Sequence, residues 1–121
     1  MNTPPPGGFR NFDAPLVHKI CELYKLFSAY LKTFPKQERY SLGKKIEETI
    51  LEILEFMLSA SYLPKFKKNE ILRKASDKTD LLKYLFRLAY EIKCLNMKKY
   101  ILLEEKVIET GKMIGGWIKS N

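Results

Sequence analysis

LGKKIEETILEILEFMLSAS, residues 42–61, is the stretch whose spacing decides the fold. Its apolar residues Leu42, Ile46, Ile50, Ile53, Met57 and Ala60 recur at steps of three and four, which lines one face of an α-helix. Leu51, Leu54 and Leu58 flank that seam. Pro35 lies just upstream and suits the first position of a helix, where its missing N–H is not needed. The spacing predicts one helix from about Lys36 to Ser61.

The same periodicity extends outward on both sides. Upstream, a helix from about Ala14 to Thr33 carries Leu16, Ile20, Leu23, Phe27, Tyr30 and Phe34, with a second stripe of Val17, Tyr24 and Leu31. Downstream, Tyr62 to Asn69 breaks the pattern. A third helix then runs from about Asn69 to Leu95, with Ile71, Ala75, Leu82, Leu85, Ala89 and Ile92 inward. Lys78 falls inside that stripe, so either the first turns project past the core or the helix starts near Asp77–Thr79. After a turn at residues 94–97, a fourth helix from about Lys98 to Lys119 turns Tyr100, Leu103, Val107, Gly111, Ile114 and Ile118 inward. Four helices with short connections predict an all-α, up-down-up-down antiparallel four-helix bundle over residues 14–121. Residues 1–13, rich in proline and glycine, read as a flexible leader.

At 121 residues the chain suits one domain, and 45% apolar content supports a packed core. No run approaches the ~18 apolar residues of a membrane span. The N-terminus also lacks the basic start and apolar run of a secretory signal, so cytoplasmic residence is expected. Cys21 and Cys94 read as free thiols. His18 is the single histidine and there is no Cys-x-x-Cys, which argues against zinc within one chain. Glu47, Glu48, Glu52 and Glu55 repeat along the second helix. A di-metal bundle would need Glu-x-x-His pairs and none exists, so these glutamates read as a solvated or inter-subunit face. No catalytic, metal or cofactor constellation emerges, and a non-enzyme is expected.

Charge is the stronger clue. Lys and Arg number 22 against 14 Asp and Glu. The excess gathers at the junction of the second and third helices, where Lys65, Lys67, Lys68, Arg73, Lys74 and Lys78 lie close in sequence beside Tyr62 and Phe66. Lys44-Lys45 and Lys98-Lys99 form smaller pairs. Such a patch binds phosphate backbone by counterion release, without reading sequence, and the aromatics offer a stacking surface. Lys44 and Lys45 join the junction residues as candidate nucleic-acid contacts.

A second apolar face points to assembly. Leu81, Tyr84, Leu88 and Leu95 lie off the main seam of the third helix, and Ile101 and Ile108 lie one heptad apart off the seam of the fourth. Extra apolar surface of this kind marks a subunit interface. Arg39 joins this set: a cation in the first turn of the second helix opposes the helix dipole, which suggests pairing with an acidic group on a neighbouring helix or subunit, with contact to nucleic acid as the alternative. Gly43, inside a helix, suggests close packing.

Phe34-Pro35-Lys36-Gln37-Glu38-Arg39-Tyr40-Ser41-Leu42-Gly43, leading into Ile46, is more specific than periodicity. Together with Gly111-Lys112-Met113-Ile114-Gly115-Gly116-Trp117-Ile118 it resembles the Avd-type four-helix bundle family over about residues 15–119. That family includes the accessory variability determinant of diversity-generating retroelements and the related rRNA intervening-sequence proteins. The resemblance implies a basic homopentameric barrel without a catalytic site. In the retroelement branch, it implies binding to the element's reverse transcriptase and to its template RNA or cDNA in support of mutagenic reverse transcription. The alternative is an intervening-sequence-type oligomeric scaffold that binds an acidic protein partner. The resemblance leaves both branches open, and the basic charge leans to the first.

Overall fold

The computed structural model describes residues 13–120, so the expected leader lies outside the described residues except for Asp13. The helices are α1 (Asp13–Leu31), α2 (Lys36–Arg39), α3 (Leu42–Tyr62), α4 (Lys65–Glu91) and α5 (Met97–Ser120). Among the described residues there is no strand. Helices α1 and α4 each pack against both α3 and α5, so the four long helices close into a ring around one core. This is the predicted up-down-up-down bundle.

Buried positions alternate by three and four along every long helix. They are Leu16, Ile20, Leu23 and Phe27 in α1, and Gly43, Ile46, Ile50, Ile53, Met57 and Ala60 in α3. In α5 they are Leu103, Val107, Thr110, Ile114 and Trp117. A mean repeat of about 3.5 residues is the seam of left-handed coiled packing. In α4 the seam is Lys68, Leu72, Ala75, Thr79, Leu82, Phe86 and Ala89, offset from the predicted stripe. Ile71 and Leu85 are only half-buried, and Ile92 is exposed. The offset has a physical cause. Thr79 is buried with its hydroxyl donating to the Ser76 carbonyl at 2.7 Å, so its methyl can occupy the core. Thr49 and Thr110 do the same against the Lys45 and Lys106 carbonyls.

Three element boundaries also differ from the sequence reading. Helix α4 starts at Lys65, directly after Pro64, so the basic segment is the first turns of a helix and not a loop. The predicted second helix is two helices, because Ser41 (φ −114°, ψ −90°) leaves helical geometry. That break brings Gly43 against the end of α1, where a Cβ would collide with Leu31 and press on the Glu38 carbonyl. The expected close packing at Gly43 is present. Helix α4 ends at Glu91, where Lys93 turns the chain at φ 68° and Cys94 N–H donates back to the Ala89 carbonyl at 2.8 Å. A left-handed residue after the last turn is a common helix stop, although glycine usually fills it. The turn drives Leu95 inward.

Contacts fix which ends lie together. Phe27 packs edge-on against Phe34 (5.7 Å between ring centroids) and tilted on Phe86 (5.9 Å), which joins α1, the α1–α2 connection and α4. The Lys99 ammonium lies 5.1 Å over the Tyr30 ring, and that of Lys68 lies 5.3 Å over Trp117. One end of the rod therefore holds α2 with the starts of α3 and α5. The other holds the α3–α4 junction with the end of α5.

Candidate nucleic-acid interface

At the junction end, Lys65, Lys67, Arg73 and Lys74 are exposed. Phe66 is 81% and Tyr62 64% exposed beside them, and the Lys67 ammonium lies 5.9 Å from the Phe66 ring centre. Two of the predicted contacts require correction. Lys68 is 0% exposed: it fills the first seam position of α4 with its ammonium over Trp117, so it cannot reach a phosphate. Lys78 is partly buried and lies 3.4 Å from Glu52 on α3, which neutralises it within the bundle.

The other end holds a second cationic surface that a linear reading disperses. Lys32, Lys36, Lys44, Lys45, Lys93 and Lys98 are all exposed there, and Lys99 is half-buried over Tyr30. They come from two stretches of sequence, residues 32–45 and 93–99, that the topology gathers. The predicted Lys44 and Lys45 thus belong to this end and not to the junction patch. The excess charge is divided between the two ends of the rod rather than focused at one.

Helix electrostatics reinforce both ends. An N-terminal first turn carries about half a positive charge and normally attracts Asp or Glu. Helices α3, α4 and α5 have no acidic residue in the first turn, and lysines stand there instead. Neither Ser41 before α3 nor Pro64 before α4 supplies a side-chain cap, whereas Asn96 Oδ1 accepts from Lys99 N–H at 2.8 Å to cap α5. Dipole and side chains therefore add, which is the arrangement that favours anions.

The middle of the rod has the opposite sign. Residues 46–61 contain Glu47, Glu48, Glu52 and Glu55 and no basic residue. Glu104, Glu105 and Glu109 lie on α5 around Lys106. Cations in this zone are largely paired: Lys78 with Glu52, Lys83 with Asp80, and Lys19 with Glu109.

Of the residues expected at an assembly surface, Tyr84, Leu88, Ile101 and Ile108 are exposed and Leu81 is half-buried. Ile92, Met97 and Leu102 extend these edges, and the sequence reading missed them in that role. Leu95 is corrected: it is 2% exposed and packs in the core of its own bundle, because α4 stops before it. The carboxylate partner expected for Arg39 is also corrected. Arg39 ends the single turn of α2 rather than opening a long helix. Its guanidinium donates to the carbonyls of Lys32 (3.2 Å) and Phe34 (3.4 Å), just beyond α1. It holds the α1–α2 connection.

Elsewhere, Asp80, Lys83, Arg87, Tyr100 and Glu104 line one open cleft between α4 and α5, with no histidine or cysteine among them. His18 is exposed beside Glu22 on the same helix. Cys21 and Cys94 are free thiols, and burial, followed by the nearby Glu38 carboxylate, pushes the Cys94 thiol up. Burial, then the hydrogen bond to Glu104, raises the Tyr100 phenol. Among the described residues no three His, Cys, Asp or Glu side chains are placed to hold a metal ion. No described helix is long and apolar enough to cross a membrane.

The sequence model of the bAvd-like family matches residues 16–121. The chain belongs to the bAvd-like family. The fold of this bAvd-like bundle is similar to that of a crystal structure of a protein of unknown function from the S23 ribosomal protein family of Bacteroides thetaiotaomicron VPI-5482. The TM-score is 0.79 at 16% identity, and the match covers 89% of this chain and 98% of that one. No curated protein matches the sequence significantly.

Proposed function

We propose that the chain is a non-catalytic, nucleic-acid-binding accessory protein of a diversity-generating retroelement, which holds template RNA and cDNA beside a reverse transcriptase. Family membership supports the setting. The observation that carries the binding role is the charge layout: exposed lysines stand at three helix starts that lack acidic residues, at both ends of the rod. Binding there runs through phosphates by counterion release and carries little sequence preference. The apolar edges of α4 and α5 support side-by-side assembly into a homo-oligomer, a pentamer in this reading, which repeats the cationic ends and strengthens their field.

The test is the salt dependence of binding to a labelled single-stranded RNA, followed by anisotropy. The native chain binds tightly at low salt with a steep negative slope of log affinity against log salt. Reversing Lys65, Lys67, Arg73 and Lys74 to Glu flattens the slope by roughly three, at about 0.7 per lost single-strand phosphate contact. An unchanged slope in that variant and in its α2-end counterpart removes the binding role. Capture of an acidic protein partner without nucleic acid, after nuclease treatment, favours the scaffold alternative instead.

A further inference from the structure

We propose that each copy of the chain holds two nucleic-acid segments at once, one at each end of the rod, and so bridges strands instead of coating one. The inference rests on the nucleic-acid-binding reading above and goes beyond it in stoichiometry and geometry. The two cationic ends are separate sites. Helix α4, 27 residues long, runs between them, which at 1.5 Å per residue is about 40 Å. Screening at physiological salt acts over about 8 Å, so neither end feels the other.

A single strand lying along the rod could reach both ends only by crossing the acidic middle. There Glu48, Glu55, Glu105 and Glu109 are exposed, and Lys19, Lys78 and Lys83 are already paired with carboxylates. Lys25, Lys106 and Lys112 are the mid-rod bases left to oppose that row. At the ends the balance reverses. Residues 32–45 carry five basic side chains against Glu38, and residues 62–74 carry five against Glu70. One of each five is held internally, Arg39 by carbonyls and Lys68 over Trp117. No ion pair among the described residues involves the others. Two attractive ends separated by a repulsive waist favour two ligands crossing the ends over one running lengthwise.

The experiment uses the full chain and two non-complementary single-stranded RNAs, one labelled with a donor and one with an acceptor fluorophore. Bridging predicts energy transfer that rises with protein, peaks near stoichiometric ends, and falls when excess protein gives each strand its own copy. Two variants separate the ends: Lys65, Lys67, Arg73 and Lys74 to Glu, and Lys36, Lys44, Lys45 and Lys98 to Glu. The same sets changed to Gln serve as milder substitutions, and helicity is confirmed by circular dichroism. Each variant still shifts the anisotropy of one RNA but loses energy transfer. Energy transfer that survives in either variant shows bridging from one end only and overturns the proposal. Native chain that binds single RNAs without energy transfer also overturns it, while leaving the binding role intact. Failure to bind any RNA removes both.

Discussion

Gly43 and Gly115 both interrupt helices, yet the structure predicts opposite outcomes when each is changed to Ala. At Gly43 a Cβ would run into Leu31 Cδ1 and lie 3.2 Å from the Glu38 carbonyl and 3.4 Å from Phe34 Cδ2. Leu31 is half-buried and can swing aside. The Glu38 carbonyl cannot, because it accepts from Ser41 N–H at the α2–α3 break. Overpacking of this kind costs about 1–3 kcal/mol, and the helix gain from Gly to Ala returns about 1 kcal/mol of it. Gly43→Ala should therefore destabilise by about 1 kcal/mol net. Gly115 has nothing within 4 Å of the same position, so Gly115→Ala should stabilise by about 0.5–1 kcal/mol. The two variants should differ by roughly 2 kcal/mol, on the order of 6–10 °C in Tm for a chain this size. Urea unfolding and calorimetry at one matched protein concentration measure the gap, since assembly makes Tm concentration-dependent. Equal stability of the two variants would refute the close approach of α3 to the end of α1.

Three further outcomes follow from particular side chains. Lys67→Met should reduce the salt slope of single-stranded RNA binding by about 0.7, and Lys68→Met should leave it unchanged, because the first lysine is exposed and the second lies under Trp117. Arg39→Ala should destabilise the fold by about 0.5–1.5 kcal/mol through the lost hydrogen bonds to the Lys32 and Phe34 carbonyls, as read by urea unfolding; Arg39→Lys, with one ammonium for a fork, should restore only part. Cys94 has its thiol pushed up in the fold, so the folded state resists ionisation more than the unfolded chain does. Its stabilising effect is complete below the ordinary thiol range and fades as pH rises through the folded value. Cys94→Ala should accordingly show a shallower loss of stability in alkaline solution, and native Cys21 should alkylate before Cys94.

The bundle was legible because apolar residues dominate its seams, as in Ile46, Ile50, Ile53 and Met57. The seams of α4 and α5 were read partly out of register because Lys68, Thr79 and Thr110 occupy positions that a count of apolar residues skips. Gly111 and Ile118 were therefore turned inward in place of Thr110 and Trp117. A threonine whose hydroxyl is satisfied one turn back behaves as a valine-sized core residue. The junction patch was legible as a run of neighbouring lysines, but burial of Lys68 and pairing of Lys78 depend on other helices. The second cationic end was hidden for a different reason. Its lysines fall in two stretches, residues 32–45 and 93–98, that lie far apart in sequence and that the folding topology brings to one end. Counting charge by bundle end instead of by segment, once up-down-up-down connectivity is inferred, would have found it. Leu95 and Arg39 were misplaced by boundary errors of a few residues, enough to turn a core residue into a surface one and to put Arg39 in the first turn of a long helix instead of at the α1–α2 connection.

Lysine acetylation of the full chain with and without single-stranded RNA, read by mass spectrometry, tests most directly whether the ends of the rod hold nucleic acid. Protection should concentrate at Lys65, Lys67 and Lys74 at one end and at Lys36, Lys44, Lys45 and Lys98 at the other, with Lys25, Lys83 and Lys106 labelled as before. Protection centred on the mid-rod lysines, or spread evenly over all of them, would contradict it.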